Sequence, residues 1–137
     1  MFFEMMSHVR KQYEGQLEPV CKKYQLTRME MDILLFLYNN PQYDTAKDIV
    51  EKRLLTKSHV STAIQKLCEK NYLEKHQTVD NKKLIHLKIC DAAQPVLDEG
   101  KAAQNQFFKR LFHGFSAEEL KELEQAFQRF YNNMKEV

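Results

Sequence analysis

A run of short polar and basic side chains between positions 57 and 66 is the part of this sequence best suited to chemistry. The spacing of Val60, Ile64 and Leu67 predicts a helix from Lys57 to about Lys70 with these residues inward. Donors and acceptors then share its outer face: Lys57, Ser58, His59, Ser61, Thr62, Gln65 and Lys66. Such groups suit phosphates and base edges in a DNA major groove.

The distribution of charge supports a nucleic-acid partner, although the net charge of the chain is only +2. Residues 52–88 hold nine basic side chains against three acidic ones, and no Glu or Asp occurs from 52 to 68. Residues 91–137 are slightly acidic, with eight acidic side chains against six basic ones. A basic segment between less basic flanks is typical of nucleic-acid binding. The alternative is an ordinary solvated surface.

Other classes of function find no support in the residues. Gly15, Gly100 and Gly114 are isolated, so a glycine-rich phosphate-binding loop is excluded. The five histidines have no metal-ligand spacing, and no nucleophile–base motif occurs, so we expect neither a metal, a cofactor nor an enzyme. Without a long apolar run or an export signal, the sequence predicts a cytoplasmic protein that does not enter a membrane.

The three cysteines, Cys21, Cys68 and Cys90, indicate a reducing compartment because their number is odd. A small buried apolar residue is the favoured interpretation of each. Cys90 is the candidate redox residue, since a helix predicted to begin beside it could lower the pKa of its thiol.

Capping signals and a change of period predict the elements that position these groups. Thr27 and Glu30 form a capping box before a helix over 28–39, and Thr45 precedes a short helix to about Arg53. Thr56 can cap the helix that follows, and Asn71 can take the left-handed position at its end. Period-two patterns over 72–77 and 84–89 then predict a hairpin with a polar tip at 78–83.

Long helices are predicted at both ends of the chain. One begins near Cys90–Asp91, and another follows the capping box of Ser116 and Glu119. Apolar residues spaced three and four apart along these helices form a seam that needs another helix to pack against. In the N-terminal helix, Gly15 and Pro19 interrupt this seam. The predicted dimerisation residues are Phe2, Met6, Val9, Leu120, Leu123, Phe127, Phe130 and Met134. The alternative is that the two ends complete a bundle within one chain.

The whole chain resembles the MarR (multiple antibiotic resistance regulator) family of winged helix-turn-helix regulators. The residues that carry this resemblance occur in the family's order and spacing: Leu26–Thr27, Thr56–Ser61, Leu67–Glu74, Asp80–Lys83 and Leu87–Asp91. The resemblance implies a mainly α (α+β) fold, a winged helix-turn-helix with long N- and C-terminal dimerisation helices. Residues 1–137 would form one domain, with a DNA-binding region at 26–90 and dimerisation helices at 1–25 and 91–137.

The resemblance also implies a function. The chain would be a sequence-specific, double-stranded DNA-binding regulator, a homodimeric repressor on a pseudo-palindromic operator. A small, often aromatic effector would bind between the DNA-binding region and the dimer helices. Its binding would release the repressor from the operator. The alternatives are a thiol-based redox regulator of the same fold and a winged-helix module that binds protein and not DNA.

The wing departs from the family pattern. The family carries an Arg that enters the minor groove, whereas this tip offers Lys82 and Lys83. Lys is a compact, strongly hydrated charge without the planar fork of Arg. We therefore expect both lysines to bind DNA through phosphates.

Overall fold

The computed structural model describes residues 1–81 and 83–135, which form helices and a small antiparallel hairpin. The elements are α1 (Phe2–Lys23), α2 (Arg28–Asn39), α3 (Ala46–Arg53), α4 (Lys57–Glu69), β1 (Leu73–His76), β2 (His86–Ile89), a 3-10 turn (Asp91–Ala93), α5 (Gln94–Leu111) and α6 (Ala117–Lys135). The mainly α winged-helix fold is thereby confirmed. Lys82 lies outside the described residues.

Two of the predicted caps begin the helices that lead to α4. Thr27 Oγ1 accepts from the Glu30 amide at 3.1 Å, and a Glu30 carboxylate oxygen accepts from the Thr27 amide at 3.2 Å. Thr45 and Asp48 repeat this arrangement at the start of α3. Thr56 occupies the corresponding position before α4, but within the described chain its side chain makes no capping hydrogen bond.

Asn71 ends α4 in the left-handed conformation, with φ of 62°, as its position in the sequence predicts. The amide of Asn71 donates to the carbonyl of Cys68, and the amide of Tyr72 donates to that of Leu67, both at 3.0 Å. These two bonds satisfy carbonyls that the last turn of a helix leaves free. They also turn the chain directly into β1.

The hairpin is shorter than the sequence predicts, and the segment before α3 also forms hydrogen bonds with it. Leu73 pairs with Ile89 and His76 with His86. Beyond this ladder, the amide of Leu87 donates to the Asp44 carbonyl at 2.7 Å, and the amide of Ala46 donates to the Ile85 carbonyl at 3.1 Å. The segment before α3 therefore holds the base of the wing in place.

α2 lies at the centre of the core. Ile33, Leu34 and Leu35 are buried on it, with α4 on one side and α1 and α5 on the other. α5 approaches α2 closely at Gly100, where an added Cβ would lie 3.2 Å from Met31 Sδ. A small residue suits this position because a larger side chain would overlap Met31 and Leu35.

α1 continues through Gly15 and Pro19, the two residues that interrupt its apolar seam. Both are exposed, so water can bond to the carbonyl that loses its helical donor at Pro19. Leu17 and Val20 are buried on the opposite side, and α1 packs against α5. This packing offsets the cost of one missing hydrogen bond.

Candidate nucleic-acid interface

The outer face of α4 has the arrangement that the sequence predicts. Every polar residue of the predicted set on this helix is exposed: Lys57, Ser58, His59, Ser61, Thr62, Gln65 and Lys66. Val60, Ile64 and Leu67 are buried beneath them. The face is therefore held by a packed core while its side chains point into solvent.

Two of these side chains already have partners within the helix. Thr62 Oγ1 donates to the Ser58 carbonyl at 3.0 Å, which leaves its lone pairs to accept a hydrogen bond from outside. Lys66 Nζ lies 3.8 Å from the Glu69 carboxylate. That pair is exposed, so the ammonium group can exchange it for a phosphate at little cost.

The far end of α4 is tied to the turn between α1 and α2. Lys70 Nζ donates to the backbone carbonyls of Tyr24 and Gln25. Tyr24 Oη and Lys23 Nζ both donate to the Glu99 carboxylate on α5. These contacts hold the Glu99 pKa below its usual range, the Tyr24 hydrogen bond most strongly. A polar chain of contacts thus runs from α4 to α5.

The tip of the wing presents Lys83 to solvent. Thr78 Oγ1 accepts from the Asn81 amide, and Asn81 Oδ1 accepts from the Lys83 amide, both at 3.1 Å. Such side chain–backbone bonds form tight polar turns. Lys83 also helps to line a cleft between α3, α4 and the hairpin. Lys82 is not described.

Sequence reasoning missed a cleft of about 700 Å³ between α3, α4 and the hairpin. Lys57 and Ser61 of the predicted interface line it, together with Lys47 and Lys75, which were not predicted. Lys75 pairs with Leu87 across the hairpin, and paired residues share a face of the sheet. Period two along β1 was the available signal. Only the register shows that Lys75, although exposed, lies on the same side of the hairpin as buried Leu87.

A much smaller cavity of about 100 Å³ lies between α1, α2 and α5. Tyr13, Asp32, Arg53 and Gln104 line it, and Gln104 Nε2 donates to Tyr13 Oη at 2.8 Å. Burial raises the pKa of Asp32, while Arg53 and Arg28 oppose the rise. This is the place where the family resemblance puts an effector, yet the cavity is below the usual size of a site for a drug-sized ligand.

The expected lowering of the Cys90 thiol pKa is wrong. Burial raises this pKa, and the nearby carboxylate of Glu74 raises it further. Cys90 precedes a 3-10 turn of only three residues, so a long helix does not begin directly at it. Burial also raises the thiol pKa values of Cys21, which is fully buried, and Cys68, which is half-buried.

The predicted dimerisation residues lie on the surface of the single chain. Phe2, Met6, Phe127, Phe130 and Met134 are each at least half exposed. Val9, Leu120 and Leu123 are partly buried, and no described residue of α6 is fully buried. Within the chain α1 packs against α5, while the exposed apolar residues of α6 remain on the surface.

Comparison with known proteins shows which family the chain is similar to. A model of the MarR family matches residues 24–83, which run from the end of α1 to the wing tip. Over these residues the chain is similar to the MarR family. Its members of known structure are transcription regulators. The matched region contains α2, α3, α4 and β1, and it ends before β2.

Relatives of known structure share the fold across the whole chain. A MarR family regulator from Listeria monocytogenes, crystallised with a 26mer DNA, superposes with a TM-score of 0.84. It is 18% identical, and the match covers 98% of this chain and 88% of that one. MepR of S. aureus, solved with DNA, is also 18% identical, with a TM-score of 0.76 and coverage of 97% and 94%.

A curated relative is similar in sequence. The HTH-type transcriptional regulator BilQ of Clostridioides difficile (strain CD3) is 24% identical over 125 residues. The match covers 88% of this chain and 84% of that protein. The similarity therefore extends over most of both chains.

Proposed function

We propose that this protein is a homodimeric transcriptional repressor that binds a pseudo-palindromic DNA operator through α4 and is released by a small-molecule effector. One observation carries the proposal: the exposed face of α4 is wholly polar or basic, over a stretch without a carboxylate from 52 to 68. A protein surface that lies against DNA phosphates needs this composition, because each carboxylate would repel the negatively charged DNA backbone.

The roles of the individual groups follow from their chemistry. Ser61, Thr62 and Gln65 offer short hydroxyls and an amide, which suit base edges in the major groove. Lys57, Lys66 and the wing lysines supply charge for phosphates, which fixes position and affinity without reading sequence. Relatives solved with DNA support a duplex as the partner.

The exposed apolar residues at both ends support a second copy of the chain as partner. Phe2 and Phe127 are each more than half exposed, which is costly for a lone chain in water. A symmetric dimer would cover these faces and place two α4 helices about 34–36 Å apart, one turn of B-DNA. We place this activity in the cytoplasm; no helix in the described ranges could span a membrane.

Selection of bound fragments from random duplexes, followed by affinity measurements, tests the proposal. We expect a pseudo-palindrome, and Gln65→Ala should change preference at one position per half-site by about 1–3 kcal/mol. Lys66→Ala, on the same face, serves as the matched comparison and should weaken all duplexes alike. Failure to enrich any duplex would refute DNA binding, and uniform weakening by Gln65→Ala would refute its contact with a base.

A further inference from the structure

α1 ends in a turn that satisfies some of its last carbonyls and leaves others to an outside donor. Gln25 has a left-handed φ of 55°, and its amide donates to the Lys22 carbonyl at 3.3 Å. The amide of Leu26 donates to the Cys21 carbonyl at 2.9 Å. This is a common way to end a helix. The carbonyls of Tyr24 and Gln25 lie beyond these bonds, so their donor comes from outside α1.

Lys70, which directly follows α4, supplies that donor. Its ammonium group donates to the Tyr24 carbonyl at 3.4 Å and also to the Gln25 carbonyl. The side chain is half-buried, and its positive charge lies at the negative end of the α1 dipole. A hydrogen bond from a charged group is stronger than one between neutral groups. One side chain therefore holds the end of α4 against the end of α1.

Tyr24 continues this connection to α5. Its hydroxyl donates to the Glu99 carboxylate, and Lys23 Nζ donates to both oxygens of the same carboxylate, at 2.9 and 3.1 Å. Tyr24 is thus bound through its backbone to Lys70 and through its side chain to α5. Together, Lys70, Tyr24 and Glu99 form a polar strut between α4 and α5.

The polar strut acts beside an apolar connection between the same two helices. α2 packs against both α4 and α5, so buried apolar side chains also keep them near each other. Apolar packing is non-directional, whereas hydrogen bonds require a narrow range of distance and angle. The strut therefore restricts the angle between α4 and α5, which packing through α2 leaves adjustable.

We propose that Lys70 is a positioning residue: through the polar strut it fixes the angle of α4 relative to α1 and α5, and so sets the half-site spacing that the dimer accepts on DNA. This step rests on the proposed function, in which two α4 helices lie about 34–36 Å apart. One added base pair moves a half-site by about 3.4 Å and rotates it by about a tenth of a turn. A rigid dimer then loses contacts, whereas a dimer with a looser α4 can follow the DNA.

Affinity measurements on operators of altered spacing test this role. The selected operator is compared with versions that carry one base pair more or one fewer at the centre. Lys70→Met should reduce the affinity ratio of native to altered spacing about tenfold, since the strut resists the shift only up to the free energy of its charged hydrogen bonds. Tyr24→Phe removes the hydroxyl that reaches α5 and should also reduce this ratio. The double variant should add little, because both changes interrupt one strut.

Lys22→Met is the matched control. Lys22 lies at the same end of α1, is exposed and pairs with Glu18 at 3.1 Å, so its loss removes an equal charge and keeps the strut. This variant should keep the wild-type spacing ratio, and so should Lys70→Arg, whose guanidinium group can donate to both carbonyls. A Lys70→Met variant that weakens every duplex alike, with the ratio unchanged, would show that Lys70 only stabilises the fold and would overturn the proposal.

Residual dipolar couplings of the backbone amides give a measurement without DNA on the full-length protein, with folding checked by circular dichroism. In the wild type, one alignment tensor should describe the amides of both α4 and α5. In Lys70→Met, the couplings of α4 should be scaled down because the helix samples a wider range of angles. A single tensor that still fits both helices in Lys70→Met would overturn the strut.

The two measurements separate this inference from the proposed function. Scaled couplings in a protein that binds no duplex would support the strut and refute DNA binding. An unchanged spacing ratio on an operator that the wild type binds tightly would refute the role of Lys70 and leave DNA binding intact.

Discussion

Leu54 is held in a backbone conformation that its side chain disfavours. It lies between α3 and α4 with φ of 52° and ψ of 46°, and its side chain is 90% exposed. The left-handed region costs an ordinary L-residue roughly 1–2 kcal/mol because Cβ crowds the following carbonyl. No buried contact of this side chain offsets that cost.

Leu54→Gly should therefore stabilise the protein. Glycine removes the crowding, but its greater conformational freedom stabilises the unfolded chain and offsets part of this effect. We therefore expect the free energy of unfolding to increase by up to about 1 kcal/mol. Urea denaturation followed by circular dichroism measures this free energy of unfolding.

Asn71→Gly is the matched control, since Asn71 has a similar φ of 62° but tolerates it better than Leu. Its effect should be smaller than that of Leu54→Gly. A loss of stability in Leu54→Gly would show that the exposed side chain makes a stabilising contact, for instance in the dimer.

At the scale of elements, two glycines in helices have opposite surroundings. Gly15 on α1 has open space around it, whereas Gly100 on α5 lies against Met31 and Leu35 of α2. Gly15→Ala should raise the free energy of unfolding by roughly 0.5–1 kcal/mol through helix propensity. Gly100→Leu should lower it by about 1–3 kcal/mol by overpacking.

Thermal and urea unfolding of the two variants check these signs. The free energy of unfolding of Gly100→Ala should lie between those of the two variants, because the tips of Met31 and Leu35 need to shift by only a few tenths of an ångström. A stable Gly100→Leu variant would mean that α5 can move away from α2, against the close packing described above.

The wing permits a test of its role as an element. Lys83 is exposed at the tip, and a lysine that neutralises one phosphate adds about one to the slope of log affinity against log salt. Lys83→Ala should reduce that slope by about one per monomer, on operator and scrambled DNA alike. A salt titration measures it, with Lys121→Ala on α6 as the control.

An unchanged slope in Lys83→Ala would mean that the wing does not contact DNA. A loss restricted to the operator would mean that Lys83 recognises sequence or groove width. Either result would contradict a purely electrostatic role for this residue.

At the scale of the whole molecule, the exposed seam of α6 predicts assembly. Phe127 and Phe130 are 54% and 56% exposed in the single chain. Phe127→Asp should place a charge in the dimer interface at a cost of several kcal/mol, and therefore yield monomers at micromolar concentration.

Sedimentation velocity measures this change. Gln125→Asp introduces the same carboxylate on the opposite side of α6 and should leave the dimer intact, since Gln125 is exposed and off the seam. A monomeric wild type would refute the proposed dimer, and so would a Phe127→Asp variant that still sediments as a dimer.

The sequence alone determined the features that depend on neighbours within one or two helical turns. The sequence predicted the capping box at Thr27, the helix start at Thr45, the end of α4 at Asn71 and the exposed face of α4, because hydrogen-bonding caps and apolar periodicity are local. Packing can also override a local signal, since proline usually ends a helix but Pro19 lies inside α1.

Only the tertiary structure decided which distant segments meet. Asp44 supports the wing at Leu87, and Lys75 faces the cleft beside α4. Burial and the Glu74 carboxylate raise the Cys90 pKa, where the sequence suggested a lowering. Each depends on the register of the hairpin and on how it packs against α3 and α4. No local pattern carries that information, because the free energy that fixes it comes from surfaces buried between segments far apart in the chain.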